Sequence, residues 1–207
     1  MNKVELLGYC GSDEIHACSA WTSTSRDLSI DKIERIPKLL KMLANEGHHT
    51  PFEKSFLHFL VTTDIASHIH IIKHRIGVSI NGESARYKEI KEDQFLVPED
   101  WPEIWREQLK NHTENGLRLY HDCVNSLTEI YGIDRKRAKE SARFFRGYNT
   151  QIVADVSFNW RSFYHFQSLR NKPNAQLEIR EISQTMLNLV KNIENNPFKY
   201  TIEAFNL

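Results

Sequence analysis

The sequence predicts a helix-rich α+β fold: a single domain over residues 1–207 with a small, mostly antiparallel sheet. Three observations carry this. Several long stretches place apolar residues at helical spacing, whereas only three short ones alternate or concentrate β-branched and aromatic residues as strands do. The two kinds do not alternate as βαβ units, and no GxGxxG follows a strand, which disfavours a dinucleotide fold of the Rossmann kind. No repeat, low-complexity tract or Pro/Gly/Ser linker divides the chain.

The elements follow in order. "KVELLGY", residues 3–9, alternates as a strand. In "DKIERIPKLLKMLANEGHH", residues 31–49, Ile33, Ile36, Leu39, Leu40 and Leu43 fall on one helical face, and Gly47 suits the cap. "KSFLHFLVTT", residues 54–63, reads as a second strand. Asp64 is placed to cap a helix over 65–75, "IASHIHIIKHR". A loop follows through "SINGES", then an extended piece over 85–89. Residues 89–107 hold seven acids and two prolines and read as a solvated excursion. A long helix covers 102–132, and Asp134 caps another over 135–147. "TQIVADVSF", residues 150–158, is the third strand. Helices over 160–170 and, past Pro173, over 175–193 complete the pattern.

Composition narrows the function class. The 207 residues are 40% apolar and 26% charged, as in ordinary globular proteins. Lys plus Arg equals Asp plus Glu at 27 each, so global charge indicates neither a nucleic-acid partner nor a membrane surface. Three cysteines with no CxxC fit a reducing compartment. No apolar run approaches the ~20 residues of a membrane span. The opening "MNKVELLGYCGSDE" meets acid and glycine too early for a signal peptide. A cytoplasmic protein is expected, bacterial or made by a phage in its host.

Against this neutral background, "KHRIGVSINGESARY", residues 73–87, concentrates Lys73, His74, Arg75 and Arg86 around small polar residues. At about 3.6 residues per turn, His70 and His74 share a helical face. Ser79, Asn81 and Ser84 offer short donors, and Gly82 permits a positive φ, so the turn can form an anion-binding nest. These are the parts of a phosphate or nucleotide site. The same residues also suit a plain helix end and turn: cations complement the helix dipole, and Ser, Asn and Gly make turns. Zinc on His70 and His74 is disfavoured, because no HExxH is present and Lys73 and Arg75 would repel a dication; no metal is expected.

Two further clusters stand out. "KESAR" puts Glu140 and Arg143 three apart on one helical face. "NWRSFYHFQSLRNKPNAQ" sets Arg161, His165 and Arg170 among aromatics behind Asn159. Cations there are costly to bury unless an anion meets them, and an amphipathic helix with solvated arginines fits equally.

In this order the clusters resemble the flavin-dependent thymidylate synthases, the ThyX family. His74, Arg75, Ser79, Asn81, Ser84, Arg86 and Tyr87 resemble that family's RHRxxSxNxxSxRY signature, with Lys73 for the leading arginine and one additional residue between Arg75 and Ser79. "GHHTPFEK" looks like its GHxxPFEH element, with Lys54 for histidine. "KESAR" is similar to its ExxR helix, "NWRSFYHFQSLRNKPNAQLEIREI" to its C-terminal block, and "PFKYTIEAF" to its ending. Asn174 replaces a histidine of the block, and Gly82 stands where glutamate is common, with Glu83 next.

The resemblance implies a ThyX-like fold, a homotetramer with active sites at subunit junctions, and methylation of dUMP to dTMP. It implies FAD as cofactor, with NADPH and 5,10-methylenetetrahydrofolate as cosubstrates. Carried over, Lys73, His74, Arg75, Asn159, Arg161 and His165 would bind FAD. His70, Glu83, Ser84, Ala85, Arg86, Arg143 and Arg170 would bind dUMP, with Arg170 catalytic beside the pyrimidine. None of the three cysteines lies in a matching element, in keeping with a route that uses no cysteine nucleophile. The departures leave two alternatives: altered alkylation at C5, or nucleotide binding without catalysis. A nucleic-acid binder, suggested only by "RKRAKESARFFR", is disfavoured by neutral charge.

Overall fold

The computed structural model describes residues 2–25, 29–84 and 94–207. Ala85, Arg86 and the extended piece read over 85–89 lie outside the described residues. In chain order the elements are β1 (Lys3–Cys10), α1 (Asp13–Trp21), α2 (Ile30–Asn45), β2 (Phe56–Asp64), α3 (Ile65–Ile72), β3 (Val78–Gly82), α4 (Glu103–Glu129), α5 (Arg135–Ala142), β4 (Gln151–Asn159), α6 (Trp160–Arg170), α7 (Leu177–Lys191) and α8 (Lys199–Ala204). The fold is helix-rich, with an antiparallel four-stranded sheet ordered β1-β2-β4-β3. No helix among the described residues is long and apolar enough to cross a membrane.

The chain packs as two compact units interleaved in sequence. One holds Met1–Asn2, Thr62–Ile69 and Gly82–Ala154; the other holds Lys3–Val61, His70–Asn81 and Asp155–Leu207.

The second unit has an aromatic core. Phe59 stacks on Phe163 at 5.8 Å between centroids, and Trp160 on Phe198 at 5.0 Å. All four are fully buried, which removes the largest apolar areas the chain has from water. Leu40 of α2 and Ile179 and Met186 of α7 are buried as well, each from the apolar stripe of its helix. α2 ends in a Schellman motif: His48 N–H donates to Leu43 O at 2.9 Å and Gly47 N–H to Ala44 O at 3.3 Å, with Gly47 at φ +72° as the expected cap.

Polar residues are also buried in this unit. His16 of α1 lies between Thr201 Oγ1 (2.9 Å, at Nδ1) and Ser55 Oγ (2.7 Å, at Nε2). Asp13 accepts from Thr201 Oγ1 at 2.5 Å and from the backbone N–H groups of Tyr200 and Thr201, both at 2.8 Å. This Asp–Thr–His–Ser chain joins α1 to α8 and to the start of β2. Burial alone pushes the His16 imidazole down to about 4, so it sits neutral.

In the first unit, α4 and α5 pack through Tyr120, Val124 and Ala142, with Cys123 against them. Arg146 lies over the Tyr120 ring at 5.6 Å. Gly116 lets α4 approach the Phe145 carbonyl, which a Cβ would meet at 2.5 Å. Asn149 donates to Leu96 O at 3.0 Å and to Thr113 Oγ1 at 2.9 Å.

Several elements differ from those the sequence predicts. The loop expected over "SINGES" is largely a strand: β3 runs through Gly82, and Asn159 N–H donates to Gly77 O just before it. Gly82 has no positive φ, so it does not make the turn that an anion nest at that residue would use; the positive-φ glycine of this stretch is Gly77, at +64°. The helix expected to reach Arg75 stops at Ile72, so His70 and His74 do not share a helical face. The helix expected over 135–147 ends at Ala142, followed by one tight turn over Arg143–Phe145. α1 and α8 have no counterpart in the reading.

Candidate functional site

The site is built where the chain leaves α3 and passes the start of α6. Asn159 caps α6: its Oδ1 accepts from Ser162 N–H at 2.8 Å. Ser162 Oγ then donates to Ile76 O at 2.6 Å, and Asn159 N–H donates to Gly77 O at 2.9 Å. Two consecutive carbonyls, 76 and 77, are thus held by the first turn of the helix. A Cβ on Gly77 would collide with Asn159 Nδ2 and Ser162 Oγ, so close approach and positive φ together require glycine.

This clamp sets residues 73–76 against one face of α6. Ser162, His165, Leu169 and Arg170 recur along that face at helical spacing. They enclose, with Lys73, His74, Arg75, Ile76 and Val78, a cavity of about 370 Å³. Lys73, Arg75 and His165 are exposed at its rim, as are the apolar Ile76 and Leu169.

His74 is the buried member, 8% exposed. Its ring meets Phe166 edge-on at 5.0 Å and His165 at 5.7 Å. Its Nε2 accepts from Arg170 Nε at 3.2 Å. Burial first, then the charge of Arg170 and the nearby His165 and His70, push its pKa down to about 4. Burial also lowers the pKa of Arg170 from its ordinary value. Arg170 Nη2 reaches His70 O at 3.5 Å. The His70 ring meets Gln176 Oε1 at 3.1 Å, and Gln176 Nε2 donates to Glu178 Oε2 at 2.8 Å.

Of the residues singled out in the sequence, the structure gathers Lys73, His74, Arg75, His165 and Arg170 around one cavity, with His70 touching Arg170. Asn159 supports the clamp rather than lining the cavity. Arg161 instead donates to Glu53 at 2.5 Å. Glu83, Ser84 and Arg143 belong to the other compact unit, where all three are exposed and Glu83 accepts from Val153 N–H at 3.0 Å. Ala85 and Arg86 lie outside the described residues. Among the described residues no three metal-ligating side chains converge.

Sequence reasoning missed Ser162, Gln176 and Glu178. Ser162 was legible: it stands three residues after the capping Asn159, where the helix's free N–H groups and first turn lie. Gln176 and Glu178 lie within the quoted "AQLEI", but nothing local ties them to His70, 106 positions earlier.

Comparison with known proteins identifies the family. The family model "Thymidylate synthase complementing protein" matches residues 5–194. A flavin-dependent thymidylate synthase of Pseudothermotoga lettingae is 31% identical over 98% of this chain and 89% of its own length. One of Clostridium tetani is 29% identical over 96% and 86%. Among solved structures, the UMP/dUMP methylase PolB from Streptomyces cacaoi, bound with 5-Br dUMP, superposes with a TM-score of 0.79 at 26% identity, covering 100% of this chain and 95% of that one. With a family model matching nearly its full length and a relative 31% identical over almost all of it, the chain belongs to the thymidylate synthase complementing protein family.

Proposed function

We propose that the protein is a flavin-dependent thymidylate synthase, methylating dUMP to dTMP with 5,10-methylenetetrahydrofolate as carbon donor and NADPH as the source of reducing equivalents. The observation that carries this is the convergence of Lys73, His74, Arg75, His165 and Arg170 on one cavity in a member of this family. The donor set suits FAD: Lys73 and Arg75 offer charge to a pyrophosphate, and Ile76, Val78 and Leu169 offer apolar surface to a flat ring. His165 lines the same cavity, and Asn159 and Arg161 complete the cofactor contacts, in an active site shared between the subunits of a homotetramer. Each chain serves as one functional domain, in the cytoplasm.

When bound and reduced, FAD supplies the hydride that completes the methyl group. The chain's own residues bind and polarise. Ser84, Ala85, Arg86 and, from another subunit, Arg143 hold the dUMP phosphate. Glu83 and His70 flank the nucleotide. Arg170 stays protonated and sets a fixed positive charge beside the pyrimidine. Attack by C5 on a one-carbon unit needs negative charge built on that ring, and a preorganised guanidinium stabilises it without taking a proton. None of Cys10, Cys18 and Cys123 lines the cavity.

The purified protein should be yellow, or become so with FAD. Tritium should leave C5-labelled dUMP only when reduced flavin and methylenetetrahydrofolate are both present. A protein that stays inactive after FAD is added would overturn this function. A second reading is favoured by the likeness to a UMP/dUMP methylase: UMP is also accepted. Mass spectrometry of products from each nucleotide separates the two.

A further inference from the structure

The Arg170 guanidinium is held by an unusual acceptor. An arginine Nε–H can only donate, so the His74 nitrogen that meets it at 3.2 Å must carry a lone pair. That fixes the tautomer: Nε2 bare, the ring proton on Nδ1. The histidine itself has little freedom. It is buried, its ring is wedged edge-on against Phe166 and His165, and its backbone N–H donates to Ile71 O at 3.0 Å. The strand-side carbonyls two and three residues later are clamped to α6. The acceptor is therefore rigid, whereas Arg170 is a long, partly exposed side chain with much rotamer freedom to lose.

We infer that His74 is a positioning residue for Arg170: its unprotonated Nε2 takes the guanidinium Nε–H, with the His70 carbonyl taking Nη2, and this fixes the plane in which the remaining N–H groups face the cavity. The groups around His74 favour this state. Burial first, then Arg170 and His165 on α6 and His70 on α3, disfavour a protonated ring, while Lys73 and Arg75 flank it in the turn. The contact itself needs no ligand, while its use in nucleotide binding rests on the uridylate site proposed above.

The test has two arms. In the first, ¹⁵N-histidine NMR of the FAD-loaded protein follows the His74 ring with pH. The expected result is an Nδ1–H tautomer, still neutral at pH 5, whose pKa rises in Arg170→Ala. A His74 that is protonated at pH 6, or unchanged by Arg170→Ala, overturns the inference. In the second, dUMP affinity is measured by calorimetry at saturating FAD as a double-mutant cycle. His74→Leu should weaken dUMP about tenfold, the scale of one lost hydrogen bond to a charged group. His74→Gln, which keeps an acceptor, should recover most of that loss, and His74→Leu should change affinity less than about twofold in the Arg170→Ala background. Additive effects of the two substitutions overturn the positioning role. A wild type that gives the expected NMR result but binds no dUMP instead sinks the proposed substrate and leaves the contact standing.

Discussion

Two histidines are buried in the same compact unit, and both are pushed down to about 4. They reach that value by different physics. At His16 the cause is burial alone, and both ring nitrogens are occupied, by Thr201 and Ser55. At His74 burial acts together with neighbouring cations, and one ring edge faces a cavity through Arg170. The same lowered pKa thus marks a closed structural joint in one place and an open, charge-crowded site in the other. What distinguishes a functional perturbation is its causes and its surroundings rather than its size.

Experiments can separate the two. The largest effect is expected at the open site. Arg170→Ala should lower turnover of dUMP by about 10²–10³-fold, the scale of one lost preorganised donor. FAD should remain bound, seen as undiminished yellow colour, because Arg170 is assigned to the pyrimidine rather than the flavin. Loss of colour would show that assignment to be wrong.

Both buried histidines should weaken the fold in acid, and substituting His16 isolates the closed joint's share. The unfolded His16 has the ordinary pKa near 6.5, and the folded one about 4. Between these values the unfolded chain takes a proton that the folded chain refuses. The stabilisation is therefore full above pH 6.5 and is lost as pH falls towards 4, by about 3 kcal/mol in all. Asp13 works in the opposite sense, since burial raises its pKa and the folded state protonates first. Urea midpoints measured across this window should fall steeply for the wild type and less steeply for His16→Gln.

Smaller effects are expected at the clamp that serves only the open site. Gly77→Ala should cost at least about 1–2 kcal/mol through its positive φ, and more from displacing Asn159 and Ser162. Asn159→Ala should cost about 1 kcal/mol as a lost helix cap. Both should lower affinity for FAD, measured by fluorescence quenching, while leaving the pH-dependence of stability set by His16 in place. A flattened acid limb in either variant would show that the clamp also keeps His74 buried and unprotonated.

Much of this was legible in the sequence where local chemistry decides structure. Asn159 announces α6, and that helix runs over 160–170 as read. Asp64 caps α3 as expected, its Oδ1 accepting from Ser67 N–H at 2.8 Å. His165 and Arg170 fall on that helix as read, but their five-residue separation does not by itself mark them as lining one cavity. What was hidden depends on distant partners. α1 turns Asp13, His16 and Ala17 inward, so it shows no apolar period, and its polar residues are satisfied only by Thr201 and Ser55. β3 is five residues of turn-forming composition made into a strand by its pairing with β4. His70 and His74 were read as one helical face, yet they meet the same arginine from either side of a helix end.

The bond between Ser162 and Ile76 spans 86 positions of sequence. Closing so long a loop is entropically costly before the contact forms, and nothing nearer in the chain can replace it. A ribosome that has released residue 77 has therefore made the basic turn but not its support. A nascent or truncated polypeptide ending before the sixth helix therefore carries the basic turn without the clamp on its carbonyls, and on the cofactor assignment proposed above it should not retain FAD.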